Sequence, residues 1–144
     1  MVEKPLSRIR KFVAGDINKI LDIEEQAFPK TPYTKEDFFN YANRLPDSFI
    51  VMESGKDIVG YIIFDMSGHV HSTAVKTGYR KKGFGKKLFA HASMCVDKKL
   101  WLEVRSKNSA AIEFYKRMGM KIVNIISGYY GNDDALIMVL SLKK

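Results

Sequence analysis

The sequence predicts one mixed α/β domain with a largely antiparallel sheet of about seven strands and about four helices. Three observations support this prediction. Short strand-like segments follow one another early in the chain and are interleaved with helical patterns later. The length of 144 residues is that of one domain. No repeat, linker or low-complexity segment divides the chain, so we expect a single domain over residues 1–144.

The first elements are predicted from alternation and from helix caps. Residues 7–12 alternate loosely and predict a strand. Asp16 is expected to cap a first helix, which two prolines end. Its apolar stripe at helical spacing consists of Ile17, Ile20, Leu21 and Phe28. Thr34 and Asp37 resemble a capping box and predict a second, short helix.

Three strands are predicted next. Residues 48–52 and 58–64 are expected to form a hairpin, because the turn sequence Ser54-Gly-Lys-Asp57 lies between them. Residues 69–75 predict a further strand.

The second half predicts two helices and three more strands. One helix follows Gly83 and Gly85, and Asn108 or Ser109 is expected to cap the other, which stops at Gly119. The apolar side of the first of these helices consists of Leu88, Phe89, Ala92 and Cys95. The strands are predicted over residues 100–104, 121–126 and 135–142.

The composition excludes several classes of protein. Hydrophobic residues make up 46% and charged residues 28% of the chain, the balance of a protein with a core rather than of a disordered chain. The single Cys95 excludes a disulfide-built secreted scaffold. No apolar run approaches the roughly 18 residues of a membrane helix, and the first five residues, which include Glu3, do not resemble a signal peptide. We therefore expect a cytoplasmic protein without membrane contact.

The charge is the unusual feature of the composition. Lys and Arg number 24 against 16 Asp and Glu, a net charge of +8. Such an excess suggests nucleic acid, a membrane surface or a phosphorylated small molecule as partner. No Asp or Glu occurs from residue 66 to residue 96. Within that stretch stand Lys76, Arg80, Lys81, Lys82, Lys86 and Lys87.

The glycines of this basic stretch predict an anion site. Gly83 and Gly85 connect a strand to a helix, and such a loop can direct backbone N–H groups and the positive end of the helix at a phosphate. The phosphate-binding loop of a nucleoside triphosphatase is excluded because Phe84 replaces the required lysine. The glycine fingerprint of a dinucleotide-binding fold is excluded because Leu88 replaces the third glycine. A plain strand-to-helix turn would explain the glycines alone. With the basic residues around them, a compact polyphosphate is the favoured ligand.

Several motifs together resemble a known family. Residues 80–85, Arg-Lys-Lys-Gly-Phe-Gly, are similar to the coenzyme A pyrophosphate loop of the GNAT superfamily of N-acetyltransferases. Residues 102–111, followed by Phe114-Tyr115, resemble more narrowly the ribosomal-protein-alanine acetyltransferases and the catalytic subunits of N-terminal acetyltransferase complexes. Residues 27–29 and the segment from Tyr129 to Ala135 resemble the two substrate loops of those enzymes.

The resemblance implies the GNAT fold and the transfer of an acetyl group from acetyl-CoA to the α-amine of protein N-termini, by direct attack in a ternary complex. It implies no metal. The implied cofactor-binding residues are Ala74, Val75, Arg80, Lys81, Lys82, Gly83, Phe84, Gly85, Lys86, Asn108 and Tyr115. The implied substrate-binding residues are Glu24, Phe28, Pro29, His71, Thr73, Tyr129 and Tyr130.

Two residues are the candidate catalysts. Glu103 lies between apolar neighbours on a predicted strand, where an unpaired carboxylate is costly, so we expect it to be the general base, acting through water. An ion pair with Arg105 would also explain it. Tyr115 is expected to donate a proton to the leaving thiolate, although a core aromatic residue would fit the same helical position.

Other candidates keep two interpretations. Glu24, on the apolar stripe of the first helix, could orient the substrate amine or extend from the end of the stripe into solvent. Asn108 could contact coenzyme A or only cap its helix. Tyr129 and Tyr130 could clamp a peptide or be ordinary exposed tyrosines. Cys95, on an apolar stripe, is expected to be an inert core thiol.

The sequence gives little support for a metal site. His69 and His71 share one strand face, a spacing that suits two metal ligands. No Cys or His nearby completes a ligand set, and His91 lies on a separate helix. We therefore predict that the protein holds no metal.

Alternative functions remain open at this stage. The fold could acetylate lysine side chains or a small-molecule amine, or bind coenzyme A as a catalytically silent sensor. In a different class, the chain could be a basic nucleic-acid-binding module, although no signature of one occurs. Arg8, Arg10 and Lys11 lie outside the glycine loop and leave room for weak contact with ribosomes or RNA.

Overall fold

The computed structural model describes residues 6–142 and contains the predicted seven strands and four helices. The strands are β1 (Ser7–Lys11), β2 (Phe49–Ser54), β3 (Asp57–Phe64), β4 (Val70–Val75), β5 (Lys99–Arg105), β6 (Lys121–Ile126) and β7 (Ala135–Ser141). The helices are α1 (Ile17–Ala27), α2 (Lys35–Arg44), α3 (Phe84–Cys95) and α4 (Ser109–Arg117). The first five residues, on which the expectation about a signal peptide rests, lie outside the described part. Within that part, every helix is too short or too polar to cross a membrane.

The strands form two antiparallel sheets, and the expectation of one sheet needs correction. The first sheet has the order β1-β2-β3-β4 and the second β5-β7-β6. One parallel bridge, between His69 and Trp101, joins them, and the Trp101 amide donates to the Gly68 carbonyl at 2.8 Å. Beyond this bridge no further pairing between β4 and β5 is formed in residues 6–142, so the two strands diverge.

Gly68 permits the sheets to meet. Its φ of +87° is a left-handed conformation that favours glycine, and a Cβ there would lie 1.8 Å from the Lys99 carbonyl oxygen. Any side chain would therefore push the start of β5 away from the end of the β3–β4 turn.

The helices cover both faces of the first sheet. On one face, α1 and α2 bury apolar residues against β2 and β3: Ile17, Ile20, Ile23, Phe38, Phe49, Val51, Tyr61 and Ile63. On the other face, α3 packs on a core that continues into the second sheet: Ile50, Met52, Ile62, Leu88, Phe89, Ala92, Leu100, Leu102 and Met138. This second core, against which apolar residues of α4 also pack, holds the two sheets together where backbone pairing does not.

The helix starts only partly agree with the predictions. The Thr34–Asp37 capping box is confirmed, since each residue's side chain bonds the other's amide, at 3.2 and 2.8 Å. Asp16 does not cap α1 with its side chain. Its buried carboxylate accepts from the Val13 amide at 2.9 Å and from two Arg10 nitrogens at 2.8 Å each. Because these three donors occupy the carboxylate, Asp16 stabilises the turn before α1.

Two further expectations about α3 are wrong. The thiol of Cys95 is exposed at the end of the helix and is not part of the core. Both glycines are expected to precede the helix, but only Gly83 does, with a φ of +85°, whereas Gly85 lies inside the first turn of α3 and has no positive φ. Gly85 is required by packing, because a Cβ there would lie 2.5 Å from the Phe114 ring of α4.

The basic residues of β1 have acidic partners. Arg8 and Arg10 both pair with Glu53 of the neighbouring strand, and Lys11 pairs with Asp47 at 2.7 Å. These pairs give the three cations a role within the fold, so contact with RNA is not needed to explain them.

Replacing Gly68 with alanine tests the sheet junction. We expect Gly68→Ala to lower the free energy of unfolding by at least about 2 kcal/mol, because backbone strain and a backbone clash act together. Urea unfolding measures the change. Gly78→Ala, with φ +93° in open space, isolates the strain, and Gly15→Ala, with neither strain nor close contact, is the control. Equal stability of the Gly68 and Gly15 variants would contradict this account.

Candidate active site

The divergence of β4 and β5 opens a cleft of about 380 Å³. Both strands line it, together with the end of α1, the segment before α2, the start of α4 and the β6–β7 loop. Eight of the predicted site residues meet there: Glu24, Phe28, His71, Thr73, Glu103, Asn108, Tyr115 and Tyr130. The structure thus brings together residues that lie up to 106 positions apart in the sequence.

Glu103 lies on β5 and pairs with a histidine rather than with Arg105. The His69 Nε2 is 2.5 Å from its Oε1, and the Tyr129 hydroxyl donates to its Oε2 at 3.4 Å. The hydrogen bond from His69 holds the pKa of Glu103 below its ordinary value, against the opposing effect of partial burial. Glu103 is therefore an ionised acceptor at neutral pH.

The Glu103–His69 pair continues into a second carboxylate–imidazole pair. The His71 Nε2 lies 2.8 Å from Asp65 Oδ2, and the His69 and His71 rings are 4.3 Å apart. Trp101 stacks on His69 at 4.1 Å. The sequence pattern did not single out Asp65 as a partner, although it lies only four and six positions before the two histidines.

Tyr115 and Asn108 reach the cleft from α4. The Tyr115 ring packs against Phe89 and Phe114, with centroids 6.1 and 5.5 Å away. Burial raises the pKa of Tyr115, so its hydroxyl keeps its proton at neutral pH. Asn108 is confirmed as the cap of α4, since its Oδ1 accepts from the Ala111 amide at 3.2 Å. Asn108 also lines the cleft, so its role as a cap does not exclude the predicted contact with coenzyme A.

Glu24 is buried, with 2% of its surface exposed, so of its two predicted interpretations the one in which it extends into solvent is wrong. Its Oε2 accepts from the Tyr33 amide at 2.9 Å, and its Oε1 accepts from the Tyr61 hydroxyl. The Tyr61 oxygen also bonds Ser72 Oγ, at 2.8 Å. Glu24 thus ties the segment between α1 and α2 to β3 and β4. Burial raises the pKa of Glu24, so the negative charge of this carboxylate destabilises the folded state. The hydrogen bonds that its oxygen atoms accept stabilise that state.

Two predicted substrate residues are placed differently from the expectation. Pro29 is exposed and does not line the cleft. Thr73 lines it, but its side chain is buried and its hydroxyl donates to the Tyr61 carbonyl at 2.9 Å. That hydroxyl is therefore committed to the β3–β4 pair.

The β6–β7 loop carries the two predicted tyrosines to the mouth of the cleft. Tyr130 lines the cleft beneath the guanidinium of Arg105, which is 4.1 Å from the ring centroid. Tyr129 is half exposed and reaches Glu103 with its hydroxyl. The buried Asp133 holds the loop, because its carboxylate accepts from the Ser106 hydroxyl at 2.5 Å and the Lys107 amide at 3.2 Å.

The glycine loop lies at the other end of β4, outside the residues of the cleft. Gly83, in the left-handed conformation, precedes α3, whose first turn holds no acidic residue and offers unpaired N–H groups. Lys76 of the basic cluster is neutralised by Asp57 at 2.7 Å. Five basic residues form no ion pair with the carboxylates of residues 6–142: Arg80, Lys81, Lys82, Lys86 and Lys87.

Arg80 also forms a hydrogen bond within this loop. Its Nε donates to the carbonyl of Val75 at 3.1 Å, which ties the loop back to the end of β4. Val75 is itself buried, and Ala74 is half buried beside it. The loop therefore combines three features that suit an anion: the N–H groups at the start of a helix, a left-handed glycine and cations without carboxylate partners among residues 6–142.

Comparisons with known proteins give one consistent family. The family described as Acetyltransferase (GNAT) family matches residues 17–120. An uncharacterised N-acetyltransferase of Methanocaldococcus jannaschii is 34% identical, over 91% of this chain and 89% of its own. An N-alpha-acetyltransferase of Sulfurisphaera tokodaii is 32% identical, over 94% and 93%. The crystal structure of Ard1 from Thermoplasma volcanium matches with a TM-score of 0.84 at 25% identity, over 96% of this chain and 99% of that one.

The role of Glu24 is testable with two substitutions. Glu24→Ala is expected to lower the free energy of unfolding by about 2 kcal/mol, because it leaves the Tyr33 amide and the Tyr61 hydroxyl without their acceptor. Glu24→Gln should keep most of the stability, since one amide can accept from Tyr33 and donate to the Tyr61 oxygen. Urea unfolding at neutral pH measures both. An alanine variant as stable as the unmodified protein would show that Glu24 does not anchor this segment.

Proposed function

The chain belongs to the acetyltransferase (GNAT) family, and on this premise we propose that it transfers the acetyl group of acetyl-CoA to the free α-amine of protein N-termini. The resemblance to this family and the GNAT fold that it implied are confirmed. The prediction that the chain belongs to a family of acyltransferases is confirmed as well. The observation that carries the proposal is that Glu103 and Tyr115 line one cleft, at the divergence of β4 and β5.

The glycine loop fits the phosphates of acetyl-CoA. Its backbone N–H groups and unpaired cations match a pyrophosphate better than a neutral ligand, because buried or ordered phosphate charge needs donors and counter-charge together. Lys81, Lys82 and Lys86 would hold the phosphates, and Arg80 would support the loop. Bound there, acetyl-CoA supplies an activated thioester, whose sulfur leaves as a thiolate.

Glu103 would remove the proton from the amine, through a water molecule. Its low pKa keeps it ionised, and the same low pKa makes it a weak base. A weak base suits an amine that is already partly neutral. An α-amine has a pKa of about 7.7–8.0, so on the order of a tenth is neutral at pH 7. A lysine, near 10.4, would need a shift of roughly three units, or about 4–5 kcal/mol.

Tyr115 would protonate the departing thiolate, or donate a hydrogen bond to it. Its raised pKa keeps the proton on the hydroxyl until the thiolate forms. Phe89 and Phe114 fix the ring, so the direction of the hydroxyl is set by packing rather than by a hydrogen bond that would have to be broken.

The peptide would enter between Phe28 and the β6–β7 loop. Tyr129 and Tyr130 would bind its backbone, and the Glu24 anchor would hold the opposite side of the entrance. The N-alpha-acetyltransferase among the relatives supports a peptide α-amine over a small molecule. We propose the cytoplasm as the site of this reaction, since the lone Cys95 is typical of a reducing compartment.

A peptide assay with Glu103→Gln tests the reaction. With acetyl-CoA and free-amine peptides of varied first residue, we expect thiol release by the unmodified protein. In Glu103→Gln we expect kcat to fall by on the order of a hundredfold, with the KM for acetyl-CoA little changed. Glu113→Gln, on the exposed side of α4, is the control. Acetylation only of N-blocked peptides that contain lysine would overturn the α-amine assignment, and binding without turnover by either form would indicate a sensor.

A charge-matched pair of triple variants tests the cofactor site. Replacing Lys81, Lys82 and Lys86 with glutamine should weaken coenzyme A binding at least about tenfold, because charge-assisted hydrogen bonds to phosphate are lost. Calorimetry measures the affinity. The control triple variant removes the same charge elsewhere, at Lys98, Lys116 and Lys121. Equal losses in the two variants would mean that only the overall charge matters, as in a non-specific nucleic-acid-binding module.

A further inference from the structure

Asp65, His69 and His71 form a cluster outside Glu103 and Tyr115, the two residues proposed to move protons in acetyl transfer. One possible ligand atom from each residue lies within 4.8 Å of the other two. The three side chains are partly buried at the end of β3 and the start of β4, so each remains partly accessible to solvent. His71 itself lines that cleft.

The donor set is that of a transition-metal site. Two imidazoles and one carboxylate bind Zn²⁺ with three protein ligands and leave a fourth position open. Tetrahedral coordination at 2.0–2.2 Å places ligand atoms about 3.4 Å from one another. The three groups of the cluster therefore need only small side-chain movements to meet one ion.

The surroundings of the cluster already orient one imidazole. Glu103 holds the Nε2 of His69, and the Nδ1 of that ring has no hydrogen-bond partner among residues 6–142. A carboxylate on one ring nitrogen with the other left for a metal is the usual outer arrangement of a metal-binding histidine. Trp101, stacked on the same ring, limits its rotation.

We propose that Asp65, His69 and His71 bind one Zn²⁺ ion and that this ion inhibits acetyl transfer. The ion is not a cofactor of the reaction. Its charge would lie next to His69, one hydrogen bond from Glu103. A dication there repels an approaching ammonium group and so keeps the substrate amine away from Glu103. The proposed binding of Zn²⁺ depends only on the geometry of the cluster, whereas the proposed inhibition of acetyl transfer rests on the proposed function.

Direct binding is measured first, without any acetyl-transfer assay. Zn²⁺ is titrated calorimetrically into the full chain carrying Cys95→Ser, because the exposed thiol of Cys95 is a competing ligand. We expect one ion per chain. Co²⁺ should give the visible absorption of a tetrahedral site, and Zn²⁺ should displace it.

Substitutions then locate the ion. Asp65→Asn and His71→Ala should each weaken Zn²⁺ binding at least about tenfold, while His91→Ala, on α3, should leave it unchanged. Urea unfolding without metal shows that each variant is folded. Asp65→Asn keeps one side-chain acceptor for the turn amides of Ser67 and His69, and so protects the local fold. Unchanged affinity in both cluster variants, or loss in the His91 variant, would overturn the site.

Inhibition is measured last, each protein relative to its own metal-free rate. In the Cys95→Ser background, Zn²⁺ should reduce the rate of peptide acetylation, and a chelator should restore it. The Asp65→Asn variant should need at least about tenfold more Zn²⁺ for the same reduction. Tight binding at the cluster with an undiminished rate would refute the inhibition while keeping the site. Failure to acetylate any peptide without metal would instead count against the proposed function.

Discussion

The single bridge between His69 and Trp101 is the constraint on which the rest of the structure depends. Gly68 lets the two sheets meet there, and within residues 6–142 no backbone pairing joins β4 to β5 beyond it. The sheets pair at this one point, and β4 and β5 diverge beyond it. A cleft therefore forms between these strands inside a continuous core, and no long loop is needed to create it. The same bridge places His69 beside Glu103, so the geometry of the sheet junction and the ionisation of the candidate base are set together.

The charges of the protein divide into two kinds with different consequences. Those of β1 and of Lys76 are paired with carboxylates and stabilise the fold locally. Those around Gly83 have no such partners among residues 6–142, and they surround the N–H groups at the start of α3. Unpaired cations repel one another, a cost to the fold that a bound polyanion would offset. The net charge of +8 is therefore less informative than its distribution.

The sequence predicted most of the elements because helix caps, turns and alternation are local signals. Eight of the site residues that it suggested, mostly through the family resemblance, line the cleft. Local signals could not show where the two sheets meet, since that junction is one close approach between Gly68 and Lys99, 31 positions apart. Cys95 was misplaced for a different reason. Helical spacing says which residues share a stripe, but not where along the helix the core ends.

The partners of the site residues were the least predictable part, and they change how the chemistry is understood. Neither the anchor of Glu24, formed by Tyr33 and Tyr61, nor the His69 partner of Glu103 lies near in sequence. Without His69, a half-buried Glu103 would have a raised pKa and would act as a stronger base. With His69, its pKa is lowered, and it is a weak base that is ionised at neutral pH. A weak base removes a proton poorly from an amine whose pKa lies near 10. It can act on an amine whose pKa lies near 8, because part of that amine is already neutral. The proposed preference for an α-amine over a lysine would thus follow from a hydrogen bond to the candidate base, and that bond forms where the two sheets meet at one residue pair.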